Sequence, residues 1–204
     1  MAEADITLSR MIKTFRLLFN PAATWERIDK EQLTPRQVLI SFLLPWLLAG
    51  TVFEAACLML FGYRGGPLGT TVRLPLSLVC RYELTAIILT LALVYGGALL
   101  LTRMGECFHS RHGFQSCFTT LSYSLSPLFV LRFFDGCPAI NTWLCYGIGI
   151  LLCVSFLYRG LPRTLRPEPS NALGMYLFLS VFLIIATGLA HYIGTLVLDE
   201  RIFS

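Results

Sequence analysis

Long apolar runs separated by short polar breaks dominate the chain from residue 38 onward. The five runs cover residues 38–61, 75–101, 115–134, 138–158 and 172–198. A helix needs roughly 20 mainly apolar residues to cross about 30 Å of hydrocarbon, and each run reaches that length. Glycine, proline or charged residues mark the breaks. The pattern therefore predicts an all-α, polytopic integral membrane protein with five transmembrane helices.

Residues 1–37 follow a different pattern, which predicts an N-terminal cytoplasmic segment ahead of a five-helix transmembrane domain at 38–204. Within residues 5–19, apolar side chains recur on one helical stripe and basic residues flank it. This arrangement is typical of an amphipathic helix that lies on anionic headgroups. A second short helix carries Trp25, which is expected at the membrane interface. The predicted membrane-surface residues are Arg10, Lys13, Arg16 and Trp25.

The composition supports the same class of protein, because 55% of the residues are hydrophobic and only 14% are charged. The net charge of +4 does not predict nucleic-acid binding, since the basic residues lie at the ends of apolar runs rather than in one patch. The start of the chain lacks the early apolar region of a secretory signal, so the first span is expected to be the uncleaved insertion signal. The expected partners are the lipid bilayer with its anionic lipids, and other membrane proteins or further copies of this chain. No cofactor is predicted.

Lysine and arginine are distributed unequally if the five runs cross the membrane alternately. Eleven of the sixteen fall on the side of the N-terminus and four on the other side, with Arg81 inside a run. Arg132, at the end of the third run, is counted among the four. The positive-inside rule then predicts a cytoplasmic N-terminus and an external C-terminus.

Three polar residues lie in the outer halves of the predicted spans. Glu54 and Arg81 occupy the first and second spans, on the order of 10 Å below the outer interface by helical rise. A charge near a helix centre costs roughly 2.5–3.5 kcal/mol on insertion scales, so a Glu54–Arg81 ion pair is expected. Snorkelling of either side chain and a substrate or ion path are the alternatives. His191, in the last span, either packs or joins the other two in an outer-half polar pocket.

Cys107, His109 and His112 form a C-x-H-x-x-H spacing in the second connection, and thiolate with imidazole would suit zinc. No fourth ligand is apparent in the sequence. We therefore predict no metal site and expect a solvated loop that faces anionic lipid.

Two further patterns concern packing and catalysis. Pro127 lies in a serine-rich part of the third run and predicts a kink, with neighbouring serines able to satisfy the freed carbonyls. Neither a GxSxG nor an HExxH motif occurs, and the pattern predicts that the protein is not an enzyme.

Four stretches resemble the YIP-domain family of Ypt/Rab-interacting membrane proteins, in its shorter bacterial form. They are LLFNPAATWERI at 17–28, Leu44-Pro45, LSYSLSPL at 121–128 and YRGLP at 158–162. The resemblance covers nearly the whole chain in order. It implies a five-span protein with a cytoplasmic N-terminus, in the bacterial inner membrane, and it implies no catalytic residue. Eukaryotic members are implicated in vesicle traffic, so a small GTPase is a partner implied by the resemblance alone.

The function that we predict is that of a non-enzymatic membrane organiser or adaptor, which acts through helix–helix and cytoplasmic contacts. A small-solute or ion transporter that uses Glu54, Arg81 and His191 is the alternative. An intramembrane enzyme is a third hypothesis.

Overall fold

The computed structural model describes residues 2–64, 71–107, 113–135 and 140–199. Three helices lie before residue 39: α1 (Ala2–Phe19), α2 (Pro21–Glu31) and α3 (Pro35–Val38). The remaining helices are α4 (Leu44–Phe61), α5 (Leu76–Cys107), α6 (Phe114–Ser124), α7 (Ser126–Asp135), α8 (Thr142–Thr164) and α9 (Pro169–Asp199).

Five helical stretches in the described residues are long and apolar enough to cross a membrane. Each of their bounds lies within six residues of the predicted run: Pro35–Phe61, Leu76–Gly105, Phe114–Asp135, Thr142–Thr164 and Asn171–Asp199. The prediction of an all-α polytopic membrane protein with five candidate spans is confirmed. The division of the chain at residue 37 stays a prediction.

Side-chain caps set the starts of the short N-terminal helices. The amide of Asn20 accepts a hydrogen bond from the backbone N–H of Ala23, and Pro21 occupies the first turn of α2. At α3, the hydroxyl of Thr34 accepts from the N–H of Gln37 at 3.3 Å, while the side chain of Gln37 accepts from the N–H of Thr34 at 3.0 Å. This capping box starts the helical stretch of the first span at Pro35.

A proline shapes the first span. Residues Leu39–Leu43 have π-helical hydrogen bonding, and the N–H of Leu44 donates to the carbonyl of Leu39. Pro45 follows directly and has no N–H to donate to the preceding turn. The wider turn accommodates this loss, and helical structure continues from α3 into α4.

The third span is interrupted at Leu125, between α6 and α7. Pro127 cannot donate to the carbonyl of Tyr123, four residues earlier. The hydroxyl of Ser126 donates to that carbonyl at 2.7 Å instead. The predicted compensation of Pro127 by a neighbouring serine is confirmed.

The third span lies at the centre of the bundle. Of its most apolar 18 residues 67% are buried, whereas the corresponding stretches of the second and fifth spans are 22% and 28% buried. The helices α6 and α7 pack against α5, α8 and α4. The second and fifth spans therefore leave most of their apolar surface on the outside, as lipid-facing helices require.

The two ends of the bundle are distinct. At one end, which we call the N-terminal face, the amide of Gln115 donates to the carbonyl of Gln32 at 2.7 Å, and Arg166 pairs with Asp29 at 3.1 Å. The start of α6 and the residues just after α8 thus adjoin the N-terminal helices, as an alternating chain requires. The far face is the opposite end, where α4 and α7 end and α5 and α8 begin.

A two-residue ladder lies at the far face, where strand β1 (Tyr63–Arg64) pairs antiparallel with β2 (Thr71–Val72). Gly62 connects α4 to this ladder with a φ of 78°. A Cβ at Gly62 would lie 2.7 Å from the carbonyl oxygen of Val72, so both the backbone and the space require glycine there.

Candidate functional site

Three helices bring an ion cluster together in the far half of the bundle. Arg132 on α7 donates through Nε to Glu54 on α4 and through Nη2 to Glu83 on α5. Tyr82 on α5 donates its hydroxyl to Oε1 of Glu54 at 2.6 Å. Glu54 and Glu83 are only 3% and 4% exposed. One guanidinium therefore joins two buried carboxylates from different spans, which is the arrangement that makes buried charge tolerable.

The local sequence leaves room for this arginine. Gly50 lies one helical turn before Glu54 on α4. A Cβ at Gly50 would lie 3.4 Å from Cδ of Arg132, so the aliphatic part of the arginine passes over the glycine. Glu54 and Glu83 lie about two turns from the far ends of their helices, on the order of 10 Å below the far face.

The cation that contacts Glu54 is Arg132 and not Arg81, so the predicted Glu54–Arg81 pair is wrong. Arg81 has an exposed side chain. A helix turns by roughly 100° per residue, so Arg81 lies about 200° around α5 from Glu83, on the exposed side of that helix. The topology count also placed Arg132 in an external connection, whereas its side chain lies among the helices. The sequence signal that could have identified Arg132 as the partner of Glu54 is its position inside the last turn of the third predicted run.

A cavity of about 140 Å³ lies beside the ion cluster, between α5, α7, α8 and α9. Its described lining is mainly apolar, with leucines from α5 and α7. Polar groups are added by Tyr82, Arg132, Asp135, Tyr146 and His191. Because Arg132 also binds Glu54, the cavity and the ion cluster form one site.

His191 lies on this cavity within a group of aromatic rings. Its ring centroid is 4.7 Å from that of Trp143 and 5.1 Å from that of Tyr146, on which it stacks. Nε2 of His191 lies 3.5 Å from the hydroxyl of Thr142. Tyr146 donates its own hydroxyl to the carbonyl of Ile184 at 3.0 Å. The structure therefore brings His191 and the cluster of Glu54 to one site, as the pocket hypothesis required, but without Arg81 as the cation of Glu54.

The weak metal candidates fall outside what the structure describes, because His109, His112 and the side chain of Cys107 are not among the described residues. Within the described ranges, no group of three or more His, Cys, Asp and Glu side chains is placed to hold a metal ion.

The helix α1 packs on the bundle partly through residues predicted to bind lipid. Lys13 is only 7% exposed, and its Nζ lies 2.6 Å from Oε1 of Glu31. Burial lowers the pKa of Lys13, and the ion pair with Glu31 opposes that shift. Arg10 donates to the hydroxyl of Ser41. Lys13 is therefore an internal ion-pair residue and not a membrane-surface one, whereas Arg16 remains exposed.

Trp25 is fully buried within the protein, so its side chain does not contact lipid or headgroups, as the prediction of a membrane-surface residue requires. Its ring packs directly on Gly160 of α8, where a Cβ would lie 2.6 Å from Cζ2 of Trp25. The ring centroid of Tyr123 lies 6.5 Å from that of Trp25 in an edge-on arrangement. Tyr123 in turn stacks on Phe42 with centroids 4.0 Å apart. The missing side chain at Gly160 makes the space in which the indole is buried.

The sequence model of the Yip1 domain matches residues 15–202, which is nearly the whole chain. The chain belongs to the Yip1 domain family. Neither the curated proteins nor the solved structures contain a match to the sequence.

Three of the four stretches that resemble the family meet at one place in this Yip1 domain protein. Trp25 comes from the stretch at 17–28, Tyr123 from 121–128 and Gly160 from 158–162. Their contacts form a packed cluster beside the N-terminal face, within the same buried core as the spans. These stretches of the family pattern therefore provide packing that joins α2 to α6 and α8.

Proposed function

We propose that this Yip1 domain protein is a non-enzymatic membrane organiser or adaptor that works through α1 and through lateral contacts of its spans. The observation that carries the proposal is an apolar stripe that α1 leaves exposed. Its members recur at intervals of three or four residues and are 40–88% exposed: Leu8, Ile12, Phe15 and Phe19.

The opposite side of α1 is held against the bundle. Leu17 is fully buried, Lys13 pairs with Glu31, and Arg10 donates to the hydroxyl of Ser41. An apolar stripe held in this way favours a helix that lies in one leaflet at the boundary of headgroups and acyl chains. The exposed Arg16 suits anionic headgroups.

We place the N-terminal face in the cytoplasm and the C-terminus outside. Eleven of the sixteen Lys and Arg residues fall on the N-terminal side when the five spans alternate. Membership of the family and its shorter bacterial form support the inner membrane of a bacterium as the location. A small GTPase is a candidate partner at the cytoplasmic end by family alone.

A photoreactive leucine analogue tests this proposal at two adjacent positions of α1. Leu18 is 42% exposed and Leu17 is fully buried, so the two form a matched pair in the same helix. In native membranes, the analogue at Leu18 should crosslink to lipid, to another membrane protein or to a second copy. The analogue at Leu17 should crosslink only within the chain. Purely internal crosslinks from both positions would overturn the proposal.

The second candidate function is small-solute or ion transport. The cavity of about 140 Å³ and the buried charges beside it favour this alternative. Uptake of labelled small solutes and ions by reconstituted vesicles tests it. Transport through this site should be lost in Asp135→Asn and kept in Glu26→Gln, which alters an exposed carboxylate of α2. Flux that is equal in the two variants would exclude this route.

A further inference from the structure

The cavity beside Arg132 is apolar at its deeper end and polar at the end closer to the far face. Its volume of about 140 Å³ is close to that of an engineered apolar cavity of about 150 Å³ that binds benzene. Its apolar part includes Leu89, Leu93, Leu125 and Leu128, which lie deeper in the bundle, on α5 and around the start of α7. Tyr82, Arg132, Asp135 and His191 lie closer to the far face. A ligand of matching shape has an apolar body no larger than about one six-membered ring and a polar group at one end.

The charges around the cavity decide which polar group fits. The guanidinium of Arg132 already binds Glu54 and Glu83, so two carboxylates neutralise it. Asp135 adds a further carboxylate to the lining, and its Oδ1 is buried without a hydrogen-bond partner. An anionic ligand would place like charges together in a site of low dielectric. A cation would supply the donor that Oδ1 of Asp135 lacks.

Aromatic rings reinforce this preference for a cation. Tyr82 and Tyr146 line the cavity, and the hydroxyl of each is donated elsewhere, to Glu54 and to the carbonyl of Ile184. Neither hydroxyl is therefore a free donor for a ligand, and the negative π-density of a tyrosine ring attracts a cation that lies over its face. An ammonium group can therefore find a carboxylate and aromatic rings in the same part of the cavity.

We infer that this cavity binds a compact lipophilic cation, namely a protonated primary amine on an apolar group about the size of a benzene ring. The ammonium group lies at Asp135 and the apolar group lies among the leucines of α5 and α7. The inference concerns binding alone, so it goes beyond the organiser role and does not depend on transport.

Benzylammonium is the probe for this site, with benzyl alcohol and benzoate as neutral and anionic analogues of similar size. Calorimetric titration of the full-length protein in detergent should show saturable binding of benzylammonium. Benzyl alcohol should bind about tenfold more weakly or worse, because it cannot make the charge-assisted hydrogen bond to Asp135. Benzoate should not bind. Benzoate binding as tight as that of benzylammonium, or no saturable benzylammonium binding, would overturn the inference.

Two variants locate the binding. Asp135→Asn should lower the affinity for benzylammonium by about tenfold or more and leave the affinity for benzyl alcohol nearly unchanged. Ala86→Leu fills part of the cavity and should lower the affinity for both ligands. Glu26→Gln, at an exposed carboxylate of α2, is the control and should bind as the original protein does. Benzylammonium affinity that is unchanged in both Asp135→Asn and Ala86→Leu would place the binding elsewhere and refute the assignment. Binding without flux in vesicles would support this site and reject transport, so the two hypotheses fail separately.

Discussion

Removing the guanidinium of Arg132 should destabilise the protein far more than removing an exposed arginine of the same face. The substitution Arg132→Met leaves Glu54 and Glu83 buried at 3% and 4% exposure without their cation. Breaking a buried ion pair by removing one partner costs about 3–5 kcal/mol. Because two carboxylates lose the same partner here, we expect a loss of about that size in the free energy of unfolding.

A triple variant separates the unpaired charges from the loss of packing. Replacing a whole buried ionic cluster by uncharged residues of similar volume is often neutral or stabilising. Glu54→Gln and Glu83→Gln, added to Arg132→Met, should therefore restore about 2–4 kcal/mol relative to Arg132→Met alone. The amide of residue 54 can still accept the hydrogen bond from Tyr82, which lies 2.6 Å from Glu54 in the original protein.

The assay is unfolding of the full-length protein in mixed detergent micelles, followed by tryptophan fluorescence and circular dichroism. The matched control is Arg73→Met, because Arg73 is an exposed arginine just before α5 at the far face. A surface substitution of this kind usually changes stability by less than about 0.5 kcal/mol. A loss of stability in Arg132→Met no larger than that in Arg73→Met would refute the reasoning. A triple variant as unstable as the sum of its single changes would also refute it, because the three side chains would then not be energetically coupled.

Two further predictions use the same unfolding assay. Gly160→Ala places a Cβ 2.6 Å from the ring of Trp25 and should lower the free energy of unfolding by about 1–3 kcal/mol. The control is Gly147→Ala, in the same helix with no atom within 4 Å of its Cβ, which should be neutral or stabilising by up to about 1 kcal/mol. Equal effects of the two substitutions would show that the contact with Trp25 is not tight. Burial of the Tyr63 hydroxyl, and next the nearby carboxylate of Asp199, raise the pKa of Tyr63 from 10.0 to about 12. The stability that the protonated hydroxyl provides is therefore present below pH 10 and is lost as the pH rises towards about 12. Tyr63→Phe should therefore lose less stability than the original protein between about pH 9 and pH 11.5, and an identical decline in both proteins would contradict the assignment.

The features that could be predicted from the sequence depend on neighbouring residues. The five spans follow from the local density of apolar residues, because the hydrocarbon core imposes a minimum length on each. The capping box of Thr34 and Gln37 and the compensation of Pro127 by Ser126 involve residues at most four apart. Such contacts are determined once the helix forms, so their sequence pattern was sufficient.

The candidate site was only partly predictable. Glu54 and His191 could be singled out because polar residues within apolar runs are costly and rare. The partner of Glu54 could not, because depth along a helix does not give the rotation of that helix about its axis. Arg132 was assigned to a connection because it lies near the end of the third run, yet its long side chain extends into the bundle past Gly50.

The sequence by itself determined the membrane class, the number of spans and the amphipathic pattern of α1, since each depends on composition and on periodicity along a single helix. Only the tertiary structure decided the cation of Glu54, the burial of Lys13 and the position of Trp25. An indole at residue 25 suits either a membrane interface or a protein core. It is buried here because Gly160, distant in the chain, lacks the side chain that would otherwise fill the space.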